Sequence, residues 1–182
     1  MDCGTSNTAA GRNRDGRPGV LPIESGEATL PTAVFLDFQD RRTLYGRAAT
    51  RAMIDGLDGR FMRALKSILG TSLAREKRQF LNERLTLIEI IARFLSEIRE
   101  RAEAETGLHF DHAISGRPVR FHSASAARNA QALVDLEAAY RLAGFRAVDF
   151  LPEPEAAAMA VRGTGRILIV CRRRGTSVFP IW

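Results

Sequence analysis

His112-Ala113-Ile114, Ala147-Val148-Asp149-Phe150 and Ile167-Leu168-Ile169-Val170 are three short strand-like segments in the last part of the chain, and the residues between them carry helical signals. Ala124 to Leu142 reads as a helix closed by Gly144, and Glu155 to Val161 as a shorter one. Strand–helix–strand–helix–strand predicts parallel strands joined by right-handed crossovers. Ile167–Val170 is apolar throughout, and this stretch decides the fold class.

Upstream lies the strongest helical signal. Thr86 and Glu89 form a capping box, in which each side chain satisfies an orphan backbone donor of the other residue. Leu87, Ile90, Ile91, Phe94, Leu95 and Ile98 then recur at three- and four-residue spacing, which builds one apolar face. Gly107 ends the helix, since it accepts the left-handed conformation a helix stop requires. The charges between residues 75 and 105 alternate in sign too finely for a phosphate-tracking stripe and read as a solvated helix face. Ala48, Ala49, Ala52, Met53 and Ile54 suit a short helix before a break at Gly56–Gly59. Phe61, Met62, Leu65 and Ile68 then suit a second helical piece ending at Gly70.

The first third reads differently. Asp15-Gly16, Arg17-Pro18-Gly19 and Ser25-Gly26 are turn signals around the apolar piece Val20-Leu21-Pro22-Ile23, as in a hairpin and meander. Strands are expected near residues 2–10, 19–23 and 33–37. A β-meander followed by strand–helix–strand units gives an α/β fold with a mixed sheet and flanking helices, and no internal repeat is visible.

At 182 residues the chain can bury a substantial core. No apolar run reaches the roughly 20 residues a membrane helix needs, and the N-terminus lacks the basic and apolar regions of a secretory signal. A cytoplasmic location and no membrane partner follow by default. Cys3 and Cys171 suggest no disulfide framework. The net charge of +6 comes almost entirely from arginine, since Lys66 and Lys77 are the only lysines. Such a balance suits an anionic ligand. With 7% aromatic residues and no reading motif, nucleic acid is not the expected partner.

The polar N-terminal run Asp2-Cys3-Gly4-Thr5-Ser6-Asn7-Thr8 has the chemistry of a phosphate loop. Gly4 lets backbone approach a ligand closely, and consecutive N–H groups with the hydroxyls of Thr5, Ser6 and Thr8 suit phosphate oxygens. Asp2 suits a hydrated Mg²⁺. The ordinary alternative is a polar terminus without a role. Zinc binding by His109, Asp111, His112 and His122 is a weaker idea, because scattered histidines without a cysteine pair rarely make a site. Gly163-Thr164-Gly165 lacks the spacing of a dinucleotide fingerprint.

Taken in order, the N-terminal loop, Leu65-Lys66-Ser67-Ile68-Leu69-Gly70 and Glu153-Pro154-Glu155-Ala156-Ala157-Ala158 resemble DnaK-type chaperones of the heat shock protein 70 family, within the actin-like ATPase superfamily (ribonuclease H-like fold). Gly4-Thr5-Ser6-Asn7-Thr8, Leu30-Pro31-Thr32-Ala33-Val34-Phe35 and Tyr45-Gly46-Arg47-Ala48-Ala49 are similar to the YegD-like branch. The resemblance spans Met1 to Trp182. It implies the first lobe of a two-lobed nucleotide-binding domain with ATP and Mg²⁺ as cofactors, and nucleotide and unfolded client proteins as partners. By this resemblance Asp2 holds the metal through water, and Gly4, Thr5 and Ser6 wrap the β- and γ-phosphates. Lys66 faces the γ-phosphate and the attacking water, where a compact cation neutralises charge on the transferred phosphoryl group. Glu153 stands near the metal's water shell, with Pro154 starting the next helix. Pro118, in Gly116-Arg117-Pro118-Val119, resembles the proline that couples nucleotide state to the client domain. Its partner arginine is absent: Ala126 stands at the matching position, and Arg128 is the nearest basic residue.

The departures are concentrated after Val170. Where the family has Asp-x-Gly-Gly-Gly-Thr-x-Asp, this chain has Cys171-Arg172-Arg173-Arg174-Gly175-Thr176-Ser177-Val178. Gly175 and Thr176 keep the phosphate-binding pattern, whereas Cys171 and Val178 replace acids and Arg173 and Arg174 replace glycines. The resemblance therefore divides the chain into residues 1–165, a first lobe cut within its N-terminal strand, and residues 166–182, the start of a second lobe with a degenerate phosphate loop. On that view Ile167–Val170 has no partner strands and the ATPase is inactive as it stands. Two other readings stand beside it. One is a truncated remnant that binds no nucleotide, and the other a fragment of a sugar- or acetate-kinase-like phosphotransferase, whose loops also open with Asp-x-Gly-Thr.

Overall fold

The computed structural model describes residues 6–14, 17–122, 125–152 and 167–170. The chain is mixed α/β. Among the described residues its main sheet has five strands: β2 (Gly11–Arg14), β3 (Arg17–Val20), β10 (His112–Arg117), β11 (Ala147–Pro152) and β12 (Ile167–Val170), in the order β11-β10-β12-β2-β3. β10 runs parallel to both β11 and β12, while β2 runs antiparallel to β12 and to β3. The sheet is mixed, as the sequence implies, and has flanking helices. It is consistent with a lobe of an actin-like ATPase.

β1 (Asn7–Thr8) pairs with β4 (Leu30–Pro31). A second sheet, in the order β6-β5-β7, holds β5 (Ala33–Asp37) between β6 (Arg42–Tyr45) and β7 (Gly59–Arg63), and α1 (Gly46–Ile54) packs against it. Ala49 and Ala52 on α1 meet Ala33 and Phe35 in a small core of their own. Met53 and Ile54 lie in this helix, as the sequence implies, and are exposed.

Two expectations fail between residues 59 and 85. Phe61 and Met62 sit in strand β7 rather than a helix, because residue-by-residue pairing with β5 satisfies their backbone. Leu65–Ile68 turns as a 3₁₀ segment, and a second one follows at Ser72–Ala74. The charged residues from 78 to 85 form a hairpin, β8 (Arg78–Phe80) and β9 (Glu83–Leu85), instead of a helix face. Its turn holds Leu81 at φ 51°, a conformation a leucine does not advertise.

α2 (Leu87–Thr106) follows the sequence reading closely. The Thr86 hydroxyl accepts from the Glu89 N–H at 3.2 Å, and the Glu89 carboxylate accepts from the Thr86 N–H at 2.6 Å. Gly107 caps the other end at φ 64°. Ile90, Ile91, Phe94, Leu95, Ile98 and Ala102 are buried in the main core. Each of the large ones contributes roughly 1.5–3 kcal/mol relative to an exposed side chain. α3 (Ala126–Leu142) packs on α2 and begins two residues later than expected, with Ser125 accepting from the Arg128 N–H at 3.2 Å. Its Tyr140 is fully buried, donates to the Ser115 hydroxyl of β10 at 3.0 Å, and stacks edge-on to Phe150 of β11. α3 is thereby fixed to the β10–β11 pair.

The most consequential correction concerns Ile167–Val170. It is not unpartnered: β12 occupies the middle of the main sheet, with β10 on one side and β2 on the other. The expected helix at Glu155–Val161 and the Asp15-Gly16 turn lie outside the described residues.

Candidate functional site

The strand directions define one edge of the main sheet. β10, β11 and β12 are parallel and end there, at Arg117, Pro152 and Val170. β2 runs the other way and opposes Gly11 to Ile169, so the chain enters β2 at this same edge. Ligands of open α/β sheets bind outside the carboxyl ends of parallel strands, where backbone leaves the sheet and side chains converge.

Lys66 is held at this edge. Its Nζ donates to the carbonyl of Gly116, near the end of β10, at 3.2 Å. The turn that carries it is anchored from three directions. His122 Nε2 bonds the Leu69 carbonyl at 2.6 Å, Asp135 Oδ2 accepts from the Gly70 N–H at 2.8 Å, and Leu65 and Leu69 are buried. Ala64, just before the turn, is left-handed at φ 54° and ψ 35°. That geometry costs a non-glycine residue roughly 1–2 kcal/mol and persists only where the surroundings enforce it. The turn is therefore fixed by packing, and half-buried Lys66 reaches Gly116 from it.

Asp2, Gly4, Thr5, Glu153, Gly175 and Thr176 lie outside the described residues, as does the whole Cys171–Val178 block. Ser6 is exposed, and its carbonyl accepts from the Thr32 N–H at 3.0 Å. The Thr8 hydroxyl, a candidate phosphate ligand by sequence, is instead buried against the Thr32 hydroxyl at 2.8 Å. Pro118 follows β10 directly and is half-buried, while Arg128 is exposed on the first turn of α3. Arg117 pairs in register with Pro152, and Glu153 is the next residue along the chain.

Each histidine has a structural partner. His109 meets Glu103 at 2.9 Å, His112 meets Asp149 at 2.7 Å, and His122 meets Leu69. Among the described residues no cluster of His, Cys, Asp and Glu has the arrangement of a metal site. A surface hollow of about 230 Å³ lined by Leu85, Glu89, Arg93, Ser96 and Leu142 lies toward the other end of the sheet, where α3 finishes. No helix of the described residues is long and apolar enough to cross a membrane.

Sequence reasoning missed the anchors. Nothing in the local sequence marks Asp135 or Asn129 within the helical stretch. Asp135 is buried, and the Asn129 carboxamide accepts from the N–H groups of Phe121 and His122 at 2.6 and 3.0 Å. Only the pairing of distant segments reveals those roles.

No protein-family model matches the chain. Individual proteins do. The chaperone protein DnaK of Ureaplasma urealyticum serovar 10 is 30% identical over 160 residues, covering 88% of this chain and 24% of the relative. DnaK of Ureaplasma parvum serovar 3 matches to the same extent. An HscA chaperone homologue of Pseudomonas putida is 32% identical, across 88% of this chain and 27% of its own length. The chain is therefore similar in sequence to heat shock protein 70 chaperones. It spans about a quarter of the length of these heat shock protein 70 relatives.

Proposed function

We propose that the chain is the first lobe of an actin-like nucleotide-binding domain, of the YegD-like branch of heat shock protein 70, which holds the phosphates of ATP at the edge where β10, β11 and β12 end. The observation that carries this reading is the enforced placement of Lys66 against Gly116 at that edge. In this role Lys66 supplies fixed positive charge to the γ-phosphate. Gly4, Thr5 and Ser6 supply backbone donors and hydroxyls, Gly175 and Thr176 continue the phosphate contacts, and Asp2 and Glu153 orient Mg²⁺ through water. Bound Mg²⁺ would neutralise phosphate charge. Pro118 would report nucleotide state from the end of β10. Client proteins and a cytoplasmic location belong to the same proposal.

A second reading is favoured by one specific feature, the replacement of the family's Asp-x-Gly-Gly-Gly-Thr-x-Asp by Cys171 to Val178. Arg173 and Arg174 carry side chains where the family brings bare backbone to phosphate. On this reading the polypeptide keeps the lobe's core without nucleotide binding or ATPase activity. A sugar- or acetate-kinase-like phosphotransferase is disfavoured by the similarity to DnaK and HscA. Isothermal titration of the purified chain with Mg-ATP decides between the first two. Micromolar affinity supports the nucleotide-holding lobe, and absence of heat at millimolar Mg-ATP supports the remnant.

A further inference from the structure

Among the described residues β12 is the middle strand of the main sheet, yet it is the last of the sheet's strands in sequence. Four of its residues pair with β10, from His112↔Ile167 to Ser115↔Val170, and two pair with β2, Leu168↔Arg12 and Ile169↔Gly11. Among the described residues it is the strand that joins the β2–β3 hairpin to β10 and β11. An empty position between β2 and β10 would leave two facing rows of N–H and C=O groups, each a template for a further strand. Ile-Leu-Ile-Val is rich in the β-branched residues that strands favour.

The path to this place is long. Residues 153–166 separate β11 from β12. Returning to the far side of β10 means crossing two strand spacings of about 4.8 Å and running back along a strand for roughly 20 Å. Those 14 residues reach about 46 Å when extended. The same reach lets the strand enter the sheet of a neighbouring molecule with every backbone pair reproduced.

We infer that β2 and β10 form an acceptor slot for one extended apolar strand running parallel to β10, filled by β12 of the same chain in a monomer and by β12 of a second copy in a strand-exchanged dimer. The connecting residues give the internal strand an effective concentration on the order of millimolar, so the monomer prevails in dilute solution. Exchange prevails once the connection is too short to fold back, which is how hinge changes produce swapped dimers. The inference is independent of nucleotide binding.

The test uses the full chain with Cys3→Ser and Cys171→Ser, adding Gly11→Cys and Ile169→Cys. Directly opposed residues of an antiparallel pair lie about 4.5–5.5 Å apart, within disulfide range. With the natural connection, mild oxidation is expected to give a disulfide within the monomer. Deleting residues 155–164 is expected to give a disulfide-linked dimer of the same secondary-structure content. A shortened variant that remains an internally bridged monomer, or a bridge that forms at neither length, overturns the inference. A separate arm guards against a shortened chain that does not fold. Ile169→Pro removes β12 from the ladder, and a fluorescent peptide of residues 165–171 should then bind at least tenfold more tightly than to the unaltered chain. Equal binding, or none, overturns the slot.

Discussion

Asp135 and Gly70 are joined across 65 residues of sequence by a buried hydrogen bond of 2.8 Å, from the Gly70 N–H to the Asp135 carboxylate. The same carboxylate accepts from Arg75 at 3.2 Å and from Gln131 at 2.9 Å, and its side chain is only 2% exposed. This one residue ties the Lys66 turn to α3. Asp135→Ala would strand a buried N–H and is expected to destabilise the chain by about 2–3 kcal/mol. Urea denaturation monitored by circular dichroism measures it, and a change under 0.5 kcal/mol would contradict the assigned role.

Gly70 and Gly107 share a left-handed backbone, with φ 80° and 64°, but differ in their surroundings. A Cβ at Gly70 would collide with the carbonyl of Arg128 and crowd Ala132, whereas one at Gly107 meets open space. Gly107→Ala should therefore cost only about 1–2 kcal/mol for the conformation. Gly70→Ala should cost about 1–3 kcal/mol more, for overpacking. Equal losses in thermal unfolding of the two variants would refute the distinction.

The capping box makes a prediction with a sign. The Thr86 N–H, and next its hydroxyl, hold the Glu89 carboxyl below the ordinary glutamate range. Asp37 is lowered likewise, first by the Asp40 N–H, and Glu83 by its hydrogen bond with Arg93. For a lowered carboxyl the unfolded chain binds more protons, so the stabilisation is present above the unfolded pKa of roughly 4 and is lost as pH falls through the folded value. Stability should fall with pH below about 5. Thr86→Ala should cost about 1 kcal/mol at neutral pH. It should also make that acid loss shallower, which denaturation at stepped pH would detect.

Lys66→Ala is expected to change stability by less than about 1 kcal/mol, because its bond to Gly116 is partly exposed. In the proposed role its effect is on chemistry. In a protein fused to a second lobe, with Cys171-Arg172-Arg173-Arg174 replaced by Asp, Ile, Gly and Gly, the proposal expects the substitution to slow ATP hydrolysis by orders of magnitude. Mg-ATP affinity should change much less. Single-turnover kinetics alongside titration separate the two, and a loss confined to affinity would contradict the role.

Local patterns fixed the elements that depend on neighbours in sequence. Thr86, Glu89 and Gly107 mark both ends of α2, its apolar period marks the buried face, and the alternation after His112 marks the parallel strands. These signals are short-range, because capping and amphipathic spacing act within one or two turns. Tertiary structure decided what partners at a distance decide. Residues Gly59–Arg63 became a strand because β5 pairs with them, and Thr8 turned inward to Thr32. Lys66 met Gly116, and Ile167–Val170, an orphan by sequence, closed the sheet between β10 and β2. Backbone hydrogen bonds carry no residue code for which strand lies alongside, so the neighbours of a strand emerge only when the whole sheet is assembled.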